Sequence, residues 1–281
     1  MNIFEVLKSG ESILKENNVQ DYDFDALCLL EETFNFTRND YYLNRFNEAD
    51  KDLSEKYFSL IERRISGEPL QYIIGKWPFM YGEFYVGEGV LIPRSDTETL
   101  VFSAIDYIKK NNVKVVFDLC AGSGCVGISV AKKFPDVQVF CIELSDVAFN
   151  YLERNIKLNA VKNVTAIKGD ITKCFADFDL EKIDVLLSNP PYIETDEIKT
   201  LSIEVQKEPF MALDGGNDGY YFYDIIAENW LPCMRKGTFA SFECGETQAR
   251  VLAEKLNHLS AETEIHRDLN NIERVVSLIK K

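Results

Sequence analysis

Histidine, basic charge and long apolar runs are what this chain has least of. Only two histidines occur, His258 and His266; both lie far along the sequence and read as structural rather than as a catalytic base. No apolar run approaches the roughly 20 residues that a membrane span requires, so no membrane partner is expected. The amino terminus sets Lys8, Glu11, Lys15 and Glu16 among its apolar residues. It therefore lacks the apolar core and small-residue cleavage site of a signal peptide, and a cytoplasmic location is expected. Paired cysteine spacing is absent as well. The seven cysteines are an odd number without any C-x-x-C motif, which argues against a disulfide framework and against a zinc site; they read as reduced thiols, with no metal expected. Lys and Arg number 31 against 46 Asp and Glu, a formal net charge of -15. Binding to nucleic acid relies on cationic side chains displacing counterions from phosphate, so duplex nucleic acid is a poor expected partner, although a local basic patch remains compatible with this balance.

What is present suffices for a folded protein of two parts. With 46% hydrophobic and 27% charged residues, 281 residues can build one large domain and one small one. Over residues 1–66 apolar residues recur at helical spacing, as in Ile3, Val6 and Leu7 and again in Leu53, Tyr57, Leu60 and Ile61. This predicts a small acidic helical bundle, suited to docking a protein or to serving as a packing cap. Residues 67–93 change to short aromatic and β-branched runs broken by Gly75, Pro78, Gly82, Gly87 and Gly89, which predicts a β-hairpin linker. Ser95 and Glu98 then have the spacing of a capping box at the start of a helix. Residues 94–281 form the second domain. Strand-like segments at 114–118, 138–143, 164–168 and 183–188 alternate there with helical ones, predicting an α/β fold with a doubly wound, mostly parallel sheet. Such sheets bind ligands beyond the carboxyl ends of their strands.

Four strand ends carry candidate chemistry. The first runs into Asp118-Leu119-Cys120-Ala121-Gly122-Ser123-Gly124, where glycines let the backbone approach a nucleoside cofactor, although such a turn also serves plain strand-to-helix packing. The second ends in Glu143, placed to accept hydrogen bonds from ribose hydroxyls; the alternative is a solvated strand end. The third ends at Asp170, where a base edge would lie. A dinucleotide would compete for the site, but the turn lacks the G-x-G-x-x-G order, with Cys120 where glycine is expected. S-adenosyl-L-methionine needs no diphosphate cradle. The fourth strand separates the two readings because it leads directly into Asn189-Pro190-Pro191-Tyr192. Consecutive prolines remove two backbone donors and leave carbonyls free as acceptors. The Asn189 side-chain oxygen and the Pro190 carbonyl can each take one N–H of an acceptor NH2 group, aiming its lone pair at a methyl carbon, while Tyr192 walls the site.

These motifs resemble the release-factor glutamine N5-methyltransferases, the PrmC/HemK family, from end to end. The likeness includes Gly67-Glu68-Pro69-Leu70-Gln71-Tyr72-Ile73-Ile74-Gly75, Val90-Leu91-Ile92-Pro93-Arg94 and Thr97-Glu98. It extends to Asp214-Gly215-Gly216-Asn217-Asp218-Gly219, Glu243-Cys244-Gly245 and Arg274-Val275-Val276. The resemblance implies a class I S-adenosylmethionine-dependent fold, with Cys120, Ala121, Gly122, Ser123, Gly124, Glu143 and Ile171 at cofactor-contact positions. It implies that Asn189, Pro190, Pro191 and Tyr192 hold the glutamine of the Gly-Gly-Gln loop of class I peptide chain release factors, which the helical amino-terminal domain helps to grip. Departures are Ser95-Asp96 for Pro-Glu, Cys120 for a common glycine and Asn270-Asn271-Ile272 for a more glycine-rich turn. Two related readings share the tetrapeptide: a methyltransferase for a glutamine of a large-subunit ribosomal protein, and a nucleic-acid amino methyltransferase, which would call for a basic face. A non-catalytic binding module on the same fold is the third.

Overall fold

A computed structural model describes residues 1–179, 182–258 and 261–281. They fall into two units. The first comprises Met1–Gly75 and Ser202–Lys207, the second Lys76–Leu201 and Glu208–Lys281.

The first unit is helical: α1 (Ile3–Glu16), α2 (Tyr22–Phe34), α3 (Arg38–Asn44), α4 (Lys51–Ile65) and α5 (Leu70–Ile74). Local chemistry accounts for where these helices start. Asn2 with Glu5, and Thr37 with Asp40, form reciprocal capping boxes, and the Asp50 carboxylate accepts the amide of Leu53 at 3.0 Å. Val6, Leu7 and Leu14 of α1 are buried, as are Leu29 and Leu30 of α2 and Tyr57 and Ile61 of α4. Asp25 of α2 meets Arg64 of α4 at 2.6 Å, and both are buried. Arg64 also pairs with Glu204. α5 departs from the expected hairpin linker, because Pro69 and Gly75 punctuate a helical turn: Pro69 precedes it, and Gly75 closes it in the left-handed region at φ 80°.

The hairpin itself is β1 (Lys76–Phe79) with β2 (Gly82–Tyr85), antiparallel. After it come α6 (Glu98–Lys110), β3 (Val115–Leu119), α7 (Cys125–Lys133), β4 (Gln138–Glu143), α8 (Asp146–Leu158), β5 (Val164–Lys168) and β6 (Val185–Ser188). Then follow α9 (Ile203–Gln206, in the first unit), α10 (Phe210–Leu213), α11 (Tyr221–Ile225), β7 (Phe239–Glu243), α12 (Ala249–Asn257), β8 (Ala261–Arg267) and β9 (Glu273–Lys280). The seven-stranded sheet has the order β5-β4-β3-β6-β7-β9-β8. Its first five members run parallel, and β9 is antiparallel to both β7 and β8.

Successive strand residues face opposite sides, so the sheet separates two cores. Val116, Val139, Val185 and Leu187 pack with Leu100 and Ala104 of α6, Ile128 of α7 and Leu152 of α8. Phe117, Ile142, Leu186 and Phe242 pack with Trp230 and with Leu252 of α12. The capping box expected from Ser95 and Glu98 does not form. Ser95–Thr97 already winds as a 3-10 turn, so Ser95 lacks the extended geometry of a cap, and Glu98 instead accepts the Met80 amide of the hairpin at 3.4 Å.

Candidate active site

Strand order reverses between β3 and β6, and the candidate residues gather at that point. The turn after β3 is fastened to β4: the Gly122 amide donates to Glu143 Oε2 at 2.7 Å and the Ser145 amide to Oε1 at 2.6 Å. Glu143 is buried, and burial raises its pKa against these backbone hydrogen bonds. Each oxygen keeps a lone pair for a ribose hydroxyl. At Gly122 φ is 56°, and a Cβ there would meet nothing within 4 Å, so the backbone lies open to a ligand. Cys120 adopts φ 58° with a side chain in place, the conformation for which glycine is the usual residue. Asp118 turns inward, accepting the Gly127 amide of α7 at 2.9 Å; burial pushes its carboxyl up to about 7.

β6 delivers Asn189 at its end. The Asn189 Nδ2 donates to the hydroxyl of buried Thr97 at 3.3 Å. Tyr192 directs its phenol inward to Glu243 Oε1 at 3.3 Å, and its ring packs against the core on that side of the sheet. Glu243, at the end of β7, is fully buried; burial raises its carboxyl to about 7, with hydrogen bonding from Thr97 and the charge of Arg274 acting in the opposite direction. The segment 214–219 braces the tetrapeptide from behind. A Cβ on Gly215 would come within 2.6 Å of the Tyr192 Cα, and the Gln248 amide joins the carbonyls of Tyr192 and Gly219 at 3.0 and 3.3 Å.

A cleft open to solvent is lined by Asp118, Cys120, Ala121, Gly122, Ser123, Glu143, Asp170, Ile171, Asn189 and Pro191, among others. Gly124, Pro190 and Tyr192 are not among its lining residues. Gly124 instead opens α7 beneath Leu152. Asp170 reaches the cavity wall, but its Oδ1 accepts the Thr172 amide and hydroxyl at 2.9 and 2.7 Å and its Oδ2 pairs with Lys173 at 3.1 Å, interactions that lower its pKa.

Three supporting residues were given no role in the site from the sequence. Thr97 is one and Gln248 another. The third, Asn155, is fully buried on α8; its amide donates to the Ser123 carbonyl at 2.9 Å and its oxygen accepts the Tyr85 amide at 2.6 Å, tying the glycine turn to the hairpin. A polar residue in line with Ala148 and Leu152 on the buried side of α8 is the one hint the sequence held.

Two families match this architecture: the PrmC N-terminal domain over residues 5–75 and the Methyltransferase small domain over residues 96–207. A release factor glutamine methyltransferase from Clostridium botulinum is 35% identical over 289 residues, covering 100% of both chains. The chain belongs to the release factor glutamine methyltransferase family. A second member, from Clostridium acetobutylicum, is 36% identical over 283 residues, covering 100% of this chain and 99% of that one. Among solved structures, the hMettl16 catalytic domain in complex with the MAT2A 3′UTR hairpin 6 has a TM-score of 0.55 at 14% identity, covering 82% of this chain and 81% of that chain. That likeness concerns the fold, a class I methyltransferase sheet, and places this family member's mostly parallel sheet among methyltransferases.

Proposed function

We propose that this enzyme transfers a methyl group from S-adenosyl-L-methionine to the side-chain N5 of the glutamine in the Gly-Gly-Gln motif of class I peptide chain release factors, and so modulates translation termination. The observation that carries the reading is the convergence of the Gly122 turn, Glu143 and Asn189 on one cavity at the sheet's switch point, in a chain that matches the family over its full length. The cofactor supplies an electrophilic methyl carbon on a sulfonium. The chain's residues bind and orient. Glu143 accepts the ribose hydroxyls, while the open backbone at Gly122 admits the rest of the cofactor, flanked by Cys120, Ala121, Ser123 and Ile171.

Asn189 Oδ1 and the Pro190 carbonyl take the two N–H groups of the acceptor amide, Pro191 shapes the pocket around it, and Tyr192 fixes the tetrapeptide from the core side through Glu243. An amide nitrogen is a weak nucleophile because its lone pair is delocalised into the carbonyl. Two acceptors that hold the N–H groups out of plane favour the geometry in which that lone pair points at the methyl carbon, so alignment and polarisation replace a strong base. The amide proton becomes acidic only after methylation. On this reading residues 1–66 grip the release factor, 67–93 link, 94–281 carry the chemistry, and the enzyme works in the cytoplasm on a protein rather than on duplex nucleic acid.

Incubation with S-adenosylmethionine and a purified release factor, followed by peptide mass spectrometry, tests the proposal with Asn189→Ala as control. One methyl on the Gly-Gly-Gln glutamine, absent with the variant, is the expected outcome. Methylation of a different protein or of nucleic acid would move the acceptor and overturn it.

A further inference from the structure

We propose that Thr97 is a positioning residue for methyl transfer: its hydroxyl holds the Asn189 side chain by its NH2 end, leaving Oδ1 as the end offered to the acceptor. The inference rests on the function proposed above. An asparagine amide has two ends of nearly equal shape and opposite hydrogen-bonding sense. With Oδ1 outward it accepts an N–H of the acceptor; rotated by 180° it would set one NH2 group against another. Something must therefore fix the rotation.

Thr97 is suited to do so on three counts. It lies 3.3 Å from Asn189 Nδ2, whereas Asn189 Oδ1 has no partner among the described residues. It is only 2% exposed, so no solvent competes for the hydroxyl. It also occupies the N-cap position of α6 without using its side chain to cap, whereas Thr37 at the start of α3 does cap. A threonine at a helix start ordinarily accepts from the first-turn amides; here the residue is already helical, at φ -63° and ψ -19°, and the hydroxyl is turned to Asn189 instead.

The contact itself sets the sense: the Asn189 Nδ2 donates and the Thr97 hydroxyl accepts, so the NH2 end is the end held. At the other end of the tetrapeptide the Tyr192 phenol is held by Glu243 Oε1 at 3.3 Å.

Thr97→Val removes the hydroxyl at constant shape, and Thr97→Ser keeps it. The valine variant is expected to lower kcat on the release factor about 10- to 100-fold, the scale of a misaligned reacting group, while cofactor affinity by calorimetry stays within about twofold. The serine variant should stay within about threefold of the parent. Parental kcat in Thr97→Val, or a serine variant as impaired as the valine one, would each overturn the proposal. Should Thr97→Val not fold, Thr97→Cys, a far poorer acceptor of similar size, takes its place with the same expectations.

A second readout does not depend on the acceptor. With 15N-labelled asparagine, the Asn189 side-chain NH2 signal, assigned by its disappearance in Asn189→Ala, should be protected from solvent exchange in the parent and in Thr97→Ser and unprotected in Thr97→Val. Equal exchange in all three would sink the idea even if the release factor is methylated. Protection lost only in Thr97→Val would support it even if a different acceptor is found.

Discussion

The helical unit and the strand ends beside the cavity bury charge in opposite ways. In the helical unit Asp25 and Arg64 are buried together, each satisfying the other at 2.6 Å. In the sheet unit Asp118, Glu143 and Glu243 are buried at strand ends without a direct ion pair among the described residues, and burial raises all three pKa values. Helix starts differ as well: Asn2, Thr37 and Asp50 cap their helices, while Thr97, beside the cavity, does not.

Five substitutions probe that contrast. Asp25→Ala takes from Arg64 its buried partner, leaving it the half-exposed Glu204, and should cost about 3–5 kcal/mol in urea denaturation; an effect below about 1 kcal/mol would remove the paired half of the comparison. Asp118→Asn should instead flatten a pH dependence. A carboxyl raised from its ordinary 3.8 to about 7 holds its proton in the folded chain where the unfolded chain has lost it. Its contribution to stability is therefore greatest below about pH 4, falls as pH rises towards 7 by at most about 1.4 kcal/mol per unit, and is constant beyond. Thermal melts of parent and variant from pH 4 to 8 should diverge with that sign; parallel curves would mean that Asp118 is not held protonated.

Next in size, Glu143→Ala should weaken cofactor binding by about 1.5–3 kcal/mol in calorimetry, the worth of hydrogen bonds to a charged group. Unchanged affinity would end the ribose assignment. Smallest is the pair of cap substitutions. Thr37→Ala should cost about 1 kcal/mol, and Ser95→Ala should stay within about 0.5 kcal/mol because its capping box is not formed. Equal losses would contradict the difference between the two units.

Much of this was legible in the chain. β4 and β5 lie where alternation of apolar residues put them, and Ser145 caps α8 by accepting the Ala148 amide at 3.3 Å, as the residue before a helical pattern should. Glycines and prolines were harder to interpret, since the same two residues that punctuate a loop can open and close a helical turn, as Pro69 and Gly75 do around α5. Asp170 stands at the cavity wall, as its position at a strand end predicted, and its oxygens also accept from Thr172 and pair with Lys173.

The sequence by itself determined the strands up to β6, the alternation of strands and helices that makes a mostly parallel sheet, and the identity of Asn189, Pro190, Pro191 and Tyr192 as the residues at the end of β6. Those properties are local, set by side-chain periodicity and by backbone restrictions over a few residues. Only the tertiary structure decided which way Asn189 and Tyr192 face, because their anchors are remote. Thr97 lies 92 residues from Asn189 in the chain, and Glu243 lies 51 from Tyr192. No spacing rule connects such positions; the strand order that places β6 between β3 and β7 does.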